Sequence, residues 1–222
     1  RPTIIAGNGV RLSRASESLI ALAETLSAPV ITTASGKGVV AETHPLAGCV
    51  MGDFGIEAAN RLVGEADLLL AVGTRLAPCD TVKHHRDLVD PSRQKIIQID
   101  IEPRHLGWTM PVDCGLLGDA AATLELLCAR ATSSRKDGPA RVSQAMAKGG
   151  FESPECFSKA TPMLPQRFVQ LLFEALPADV VVTGDAGENR IFLNHHYRVK
   201  APGNFLQPAA TGAMGYAIPS AL

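Results

Sequence analysis

The chain has 222 residues, 46% of them hydrophobic and 19% charged, with a formal net charge of −1. That balance supports a sizeable core and excludes a nucleic-acid or anionic-membrane footprint, because no basic stripe is available. Its longest apolar runs, such as 66–72, are strand-sized and far too short to span a bilayer. No signal peptide is visible, so the expected setting is the cytoplasm. The five cysteines (Cys49, Cys79, Cys114, Cys128, Cys156) are odd in number and lack C-x-x-C spacing. They read as thiols of a reducing compartment rather than metal ligands. The first residues enter a strand directly with no starting Met, which predicts a piece of a longer protein.

In chain order, 2–6 is an apolar strand ending at Gly7-Asn8-Gly9, and Ser13 is placed to cap a helix running through Leu26. Leu19, Leu22, Ala23 and Leu26 fall at helical spacing. Strand 28–33 follows, then a Gly36-Lys37-Gly38 loop, a short strand over 44–50, and a helix opened by Gly52-Asp53-Phe54-Gly55 that runs to Gly64. Residues 66–72 form a near-continuous apolar strand, as expected when helices cover both faces. Strands 94–100 and 114–117 and a helix over 120–130 complete the unit. The repeated β-α alternation predicts a six-stranded doubly wound parallel sheet, Rossmann-like, over residues 1–131. Residues 132–161 turn to Ser, Lys, Gly, Pro and charges and read as a linker with one short helix near 141–148. A second, incomplete α/β unit occupies 162–222, with an amphipathic helix at 164–176 and a strand at 180–183.

Several motifs carry two readings. Gly7-x-Gly9 after a strand invites a dinucleotide fold, but position 12 is Leu where the fingerprint needs glycine. A tight strand-to-helix turn explains the glycines better, and a dehydrogenase is disfavoured. Gly36-Lys37-Gly38 lacks the upstream glycine and following Ser/Thr of a phosphate loop, which leaves Lys37 to point into solvent. Arg75, in Val72-Gly73-Thr74-Arg75, ends the most buried strand, where open sheets place ligands. It can bind a phosphate or pair on the surface. Asp100 can accept ribose hydroxyls or cap the turn that follows. His84-His85 and His195-His196 are adjacent pairs whose side chains diverge, so neither is a natural metal site.

From Gly184 onward the chain reads GDAGENRIFLNHHYRVKAPGNFLQPAATGAMGYAIPSAL. A strand leads into a Gly/Asp/Asn-rich turn, and Gly212-Ala213-Met214-Gly215 then opens a helix. Such strand ends and helix starts hold phosphorylated cofactors, because free N–H groups and the helix dipole face the anion. The ordered set Arg1-Pro2-x-Ile4-Ile5-Ala6-Gly7-x-Gly9, Ala28-Pro29-Val30-x-Thr32-Thr33, Gly36-Lys37-Gly38, His44-Pro45-Leu46, Ala66-Asp67-Leu68-Leu69-Leu70-Ala71-Val72-Gly73-Thr74-Arg75 and Ile97-x-Ile99-Asp100-Ile101-Glu102 resembles the thiamine diphosphate (ThDP) enzymes of the acetolactate synthase, benzoylformate decarboxylase and pyruvate oxidase group. Residues 1–131 resemble their central domain, and 162–222 the start of their diphosphate-binding domain.

The resemblance implies a ThDP- and Mg²⁺-dependent enzyme acting on 2-keto acids, a homo-oligomer (dimer or tetramer) with active sites shared between chains. It places Ala186, Gly187, Glu188 and Asn189 at the cofactor diphosphate. Gly212 falls where a backbone carbonyl accepts from the aminopyrimidine, and Met214 where an apolar side chain props the cofactor. The family's metal motif and its activating glutamate have no counterpart in this sequence, and neither Glu188 nor Glu17 takes the glutamate's role, so the chain by itself is expected to be inactive. A carboxylate beside a diphosphate is repulsive, so the N–H of Glu188 is the expected contact rather than its side chain. FAD or ADP in the central domain is not favoured, because 76–80 lack the acidic-Arg run of the FAD-binding members. The alternative is a nucleotide-binding structural or regulatory module without ThDP chemistry, which has no need of the Gly212–Gly215 cluster.

Overall fold

The structure, a computed structural model, describes residues 1–132, 135–209 and 211–222. The first unit contains β1 (Pro2–Ala6), α1 (Asn8–Leu12), α2 (Ser16–Leu26), β2 (Val30–Thr32), β3 (Ala47–Val50), α3 (Glu57–Gly64), β4 (Leu68–Val72), β5 (Lys95–Asp100), β6 (Cys114–Leu117) and α4 (Ala120–Cys128). Its six strands form one parallel sheet in the order β3-β2-β1-β4-β5-β6. This is the doubly wound arrangement expected from the β-α alternation, with its topological switch between β1 and β4.

Successive strand residues point to opposite faces. Ile4 therefore enters one core with Val30, Leu70, Val72 and Ile99 beneath α2 and α4, while Ile5 enters the other with Ile31, Leu69, Ala71 and Ile96 beneath α3. Both isoleucines are fully buried, each contributing about 1.5–3 kcal/mol of burial free energy. At the switch, Gly9 N–H donates to Gly73 O at 3.0 Å, and a Cβ on Gly7 would lie 2.3 Å from Gly73 O. The glycines thus serve the close approach of the two loops.

Three sequence expectations need correction. Ser13 does not start a helix: it ends α1, its hydroxyl donating to Gly9 O, and α2 begins only at Ser16. Arg14 sits between the two helices at φ 55°, and Ala15 N–H closes the turn on Val10 O. The Gly52–Gly55 stretch forms a turn, with Gly52 at φ 86° and Gly55 N–H donating to Gly52 O, before α3 starts at Glu57. Lys37 does not reach solvent. Its side chain is 0% exposed against a Glu42 side chain that is 1% exposed.

Within the stretch read as a linker, α5 (Gly138–Gly149) packs on α3 and β3. Its Val142 and Ala145 join the core beneath α3, and buried Arg141 donates to Pro2 O and Thr3 Oγ1. The second unit holds α6 (Pro165–Ala175), β7 (Val182–Thr183), α7 (Glu188–His196), β8 (Phe205–Leu206) and α8 (Ala217–Ser220). β7 and β8 pair in parallel over a small core of Val169, Leu193, Tyr197, Val199 and Phe205. Among the described residues no helix is long and apolar enough to cross a membrane. All five cysteines are free.

Candidate functional site

The two units meet along residues 33–42, the loop that leaves β2. Lys37 Nζ donates to both Glu42 oxygens at 2.8 and 2.7 Å and to Tyr197 O at 2.9 Å. Glu42 Oε2 accepts from Val199 N–H, while Glu42 N–H donates to Val199 O. Burial pushes the Cys49 thiol well up, so it stays protonated and donates to Glu42 Oε1 and Asn194 O. Arg11 reaches Lys37 O and Phe205 O, and Gln207 Nε2 donates to Ala34 O. The Gly-Lys-Gly loop is therefore a docking seam for the C-terminal end of α7.

The opposite end of α7 carries the turn singled out in the sequence. Gly187 is the N-cap, at φ 101° and ψ −166°. That conformation is essentially restricted to glycine. Asn189 closes the turn by accepting from Asp185 N–H and donating to Ala186 O. Among the described residues, the N–H groups of Gly187, Glu188 and Asn189 have no acceptor. They form the unsatisfied first turn of a nine-residue helix, where the partial positive charge of the dipole is concentrated. The Glu188 side chain is exposed. Arg190 in the same first turn is positively charged: its guanidinium lies 4.7 Å from the Phe54 ring centroid and donates to Pro208 O.

Gly212 and Met214 are brought to this turn. A Cβ on Gly212, which has φ 67°, would lie 3.7 Å from Arg190 Nη1. Met214 is 90% exposed. Asp185, which the sequence reading did not assign a role, accepts from Ala186, Gly215 and Ala217 N–H at 2.7, 2.9 and 3.0 Å. The only sequence signal was an Asp directly after Gly184 at the end of a strand and two residues before the turn glycine Gly187.

Arg75 and Asp100 lie elsewhere, on the six-stranded sheet. Arg75 is exposed and stacks over Trp108 at 5.1 Å from the ring centroid. Asp100 Oδ1 accepts from Glu102 N–H and lies 3.2 Å from His105 Nδ1, so its carboxylate caps the turn after β5. No hydrogen bond or ion pair among the described residues joins either to the α7 turn. His84 and His85 are exposed, and His195 and His196 half-buried. Among the described residues no group of three or more His, Cys, Asp or Glu side chains is arranged to hold a metal.

Asp80, 7% exposed, is an unassigned buried carboxyl near Arg75. Burial raises it to about 6, against the lowering effect of backbone groups of Ala34 and Ala77. The folded value lies above the unfolded one, so the native state binds the extra proton between about pH 4 and 6 and stability falls as pH rises through that window. D80N is therefore expected to be more stable than the parent at pH 7.5 by about 1–3 kcal/mol, the difference vanishing below about pH 4. Urea titrations at pH 3.5 and 7.5 measure it; a pH-independent difference would refute the assignment.

Residues 1–127 match the family described as the thiamine pyrophosphate enzyme, central domain. The chain belongs to that family, the thiamine diphosphate-dependent enzymes. It is 37% identical to the probable acetolactate synthase large subunit of Methanocaldococcus jannaschii, covering 100% of this chain and 38% of that protein. It is 33% identical to the probable 2-ketoarginine decarboxylase of Pseudomonas aeruginosa, covering 100% and 38% respectively. A sulfoacetaldehyde acetyltransferase of Rhodobacter capsulatus is 31% identical, with 99% and 41% covered. The chain spans about two-fifths of the length of these relatives.

Proposed function

We propose that this chain is part of a ThDP- and Mg²⁺-dependent enzyme acting on 2-keto acids by decarboxylation, carboligation or both, and that the start of α7 holds the cofactor diphosphate. The observation carrying this reading is the row of N–H groups of Gly187, Glu188 and Asn189, without acceptors among the described residues and presented by a glycine-only turn. An anion is what such a turn fits. Arg190, in the first turn of α7, adds a positive charge, and Gly187, Glu188 and Asn189 are all exposed. Gly212 offers a backbone carbonyl and Met214 an unpacked apolar side chain to the rest of the cofactor. The thiazolium of bound ThDP supplies the electron sink for decarboxylation.

In this assignment the chain's own residues bind and orient. The α7 turn neutralises the diphosphate, and the Glu188 carboxylate stays in solvent while its N–H donates. Residues 1–131 form the central domain and 162–222 the beginning of the diphosphate-binding domain, in a homo-oligomer of cytoplasmic location. Mg²⁺ has no ligand set among the described residues, so no metal role is assigned to them. Calorimetric titration of the full-length protein with ThDP, with and without Mg²⁺, tests the reading. Saturable, Mg²⁺-dependent binding is expected; a folded full-length protein that binds none overturns it. The purified 222-residue chain is expected to show no turnover of pyruvate.

A further inference from the structure

The proposed site needs two parts in fixed relation: the donors of the α7 turn, and the segment bearing Gly212 and Met214. These parts are far apart in sequence, and the segment has little core of its own. Met214 and Ile218 are almost fully exposed, and Gly212 and Gly215, at φ 67° and 81°, stiffen nothing. Something else must hold it.

Two side chains at the α7 turn pin it. Arg190 Nη1 donates to Pro208 O at 2.9 Å on one side of Gly212. On the other side the Asp185 carboxylate accepts from Gly215 N–H through Oδ1 and from Ala217 N–H through Oδ2. Oδ1 also accepts from Ala186 N–H, and Asp185 N–H donates to Asn189 Oδ1. Asp185 is therefore tied by its backbone and side chain to the first turn of α7 and, through both carboxylate oxygens, to the start of α8. We infer that Asp185 is a positioning residue for the cofactor site: its carboxylate clasps residues 215–217 onto the α7 turn and so sets where Gly212 and Met214 stand relative to the diphosphate donors. This inference rests on the functional reading above.

The chemistry explains why a carboxylate is required. Three N–H donors converge on two oxygens, and an ionised acid is acceptor-only. These donors, Ala217 first, hold the Asp185 carboxyl below the usual carboxylate range, which keeps it ionised near neutral pH. An amide at this position turns an N–H₂ group toward at least one of the donors, so D185N should lose a contact at similar size.

The experiment uses the full-length protein, D185N and, as a second variant, D185A. Hydrogen exchange of the Gly215 and Ala217 amides reports the clasp without any cofactor. ThDP affinity in the presence of Mg²⁺ reports positioning, and the thermal midpoint reports the fold. D185A is expected to exchange both amides, and D185N at least one of them, at least tenfold faster, and both variants to bind ThDP at least tenfold more weakly, with a thermal midpoint within a few degrees of the parent. Unchanged exchange in the folded variants overturns the clasp. Faster exchange with unchanged ThDP affinity overturns the positioning role, since a purely structural tie would behave that way. If the parent itself binds no ThDP, the functional reading fails and the positioning role with it, while the exchange data still decide whether the clasp exists.

Discussion

K37M is expected to destabilise the protein by about 3–5 kcal/mol, the range for removing one partner of a buried ion pair. The cost arises from what stays behind. Glu42 keeps its Val199 and Cys49 donors but loses its one ion-pair partner among the described residues, at a side-chain exposure of 1%. Tyr197 O loses its Lys37 donor as well. The Phe151 and Phe205 ring centroids lie 5.8 and 5.4 Å from Nζ, so apolar rings face the charge that K37M removes. K37M/E42Q should recover part of the loss, because a neutral amide still accepts from Val199 N–H and needs no counter-charge. Urea titration of the parent, single and double variants measures all three. A K37M cost below about 1 kcal/mol would mean that the pair is hydrated and not the buried bridge described.

G187A tests the other end of α7. The nearest atom to an added Cβ is Asn189 Nδ2 at 3.8 Å, so no neighbour opposes the methyl group. The penalty is confined to the backbone, where an L residue at φ 101° and ψ −166° costs about 1–3 kcal/mol. The turn either bears that strain or relaxes to negative φ and re-aims the Glu188 and Asn189 N–H groups. Being exposed, the turn is expected to relax, and ThDP affinity of the full-length protein should then fall by about 5- to 150-fold, because binding has to restore the strained conformation. The turn lies at the surface, away from both cores of the large sheet, so the thermal midpoint should move little. Calorimetry beside a thermal melt separates the two effects; full affinity in G187A would show that the turn does not carry the diphosphate.

Much of the first unit was legible in the residues, for a definite reason. Strands buried on both faces write themselves as continuous apolar runs, and 66–72 or 94–100 could hardly be read otherwise. What misled was the short range. Asn8-Gly9 looks like turn chemistry, yet the backbone starts α1 there because Gly9 packs on Gly73, a contact spanning the sheet. Lys37 lost its solvent reading in the same way: its partner Tyr197 O lies 160 residues away, and Val199, which bonds its counter-ion Glu42, lies 157 from that carboxylate, and no local pattern announces either. Of the candidate site, the glycines at 187 and 212 stood out as turn residues, while their grouping with Met214 came from resemblance. Asp185 went unassigned because its acceptor role depends on where residues 215–217 return in space.

The position of β1 has a consequence for synthesis. Of the six strands of this sheet it is the first made, yet it lies in the middle, between β2 and β4. On the β4 side its partners are residues 68–72. At ribosomal rates of about 5–20 residues per second, Val72 follows Ala6 by roughly 3–13 s. Throughout that interval the apolar segment Thr3-Ile4-Ile5-Ala6 presents a bare hydrogen-bonding edge. A nascent chain of this design should engage holding factors while this sheet is incomplete, and its yield on overexpression should respond to them more than to any change on the finished surface.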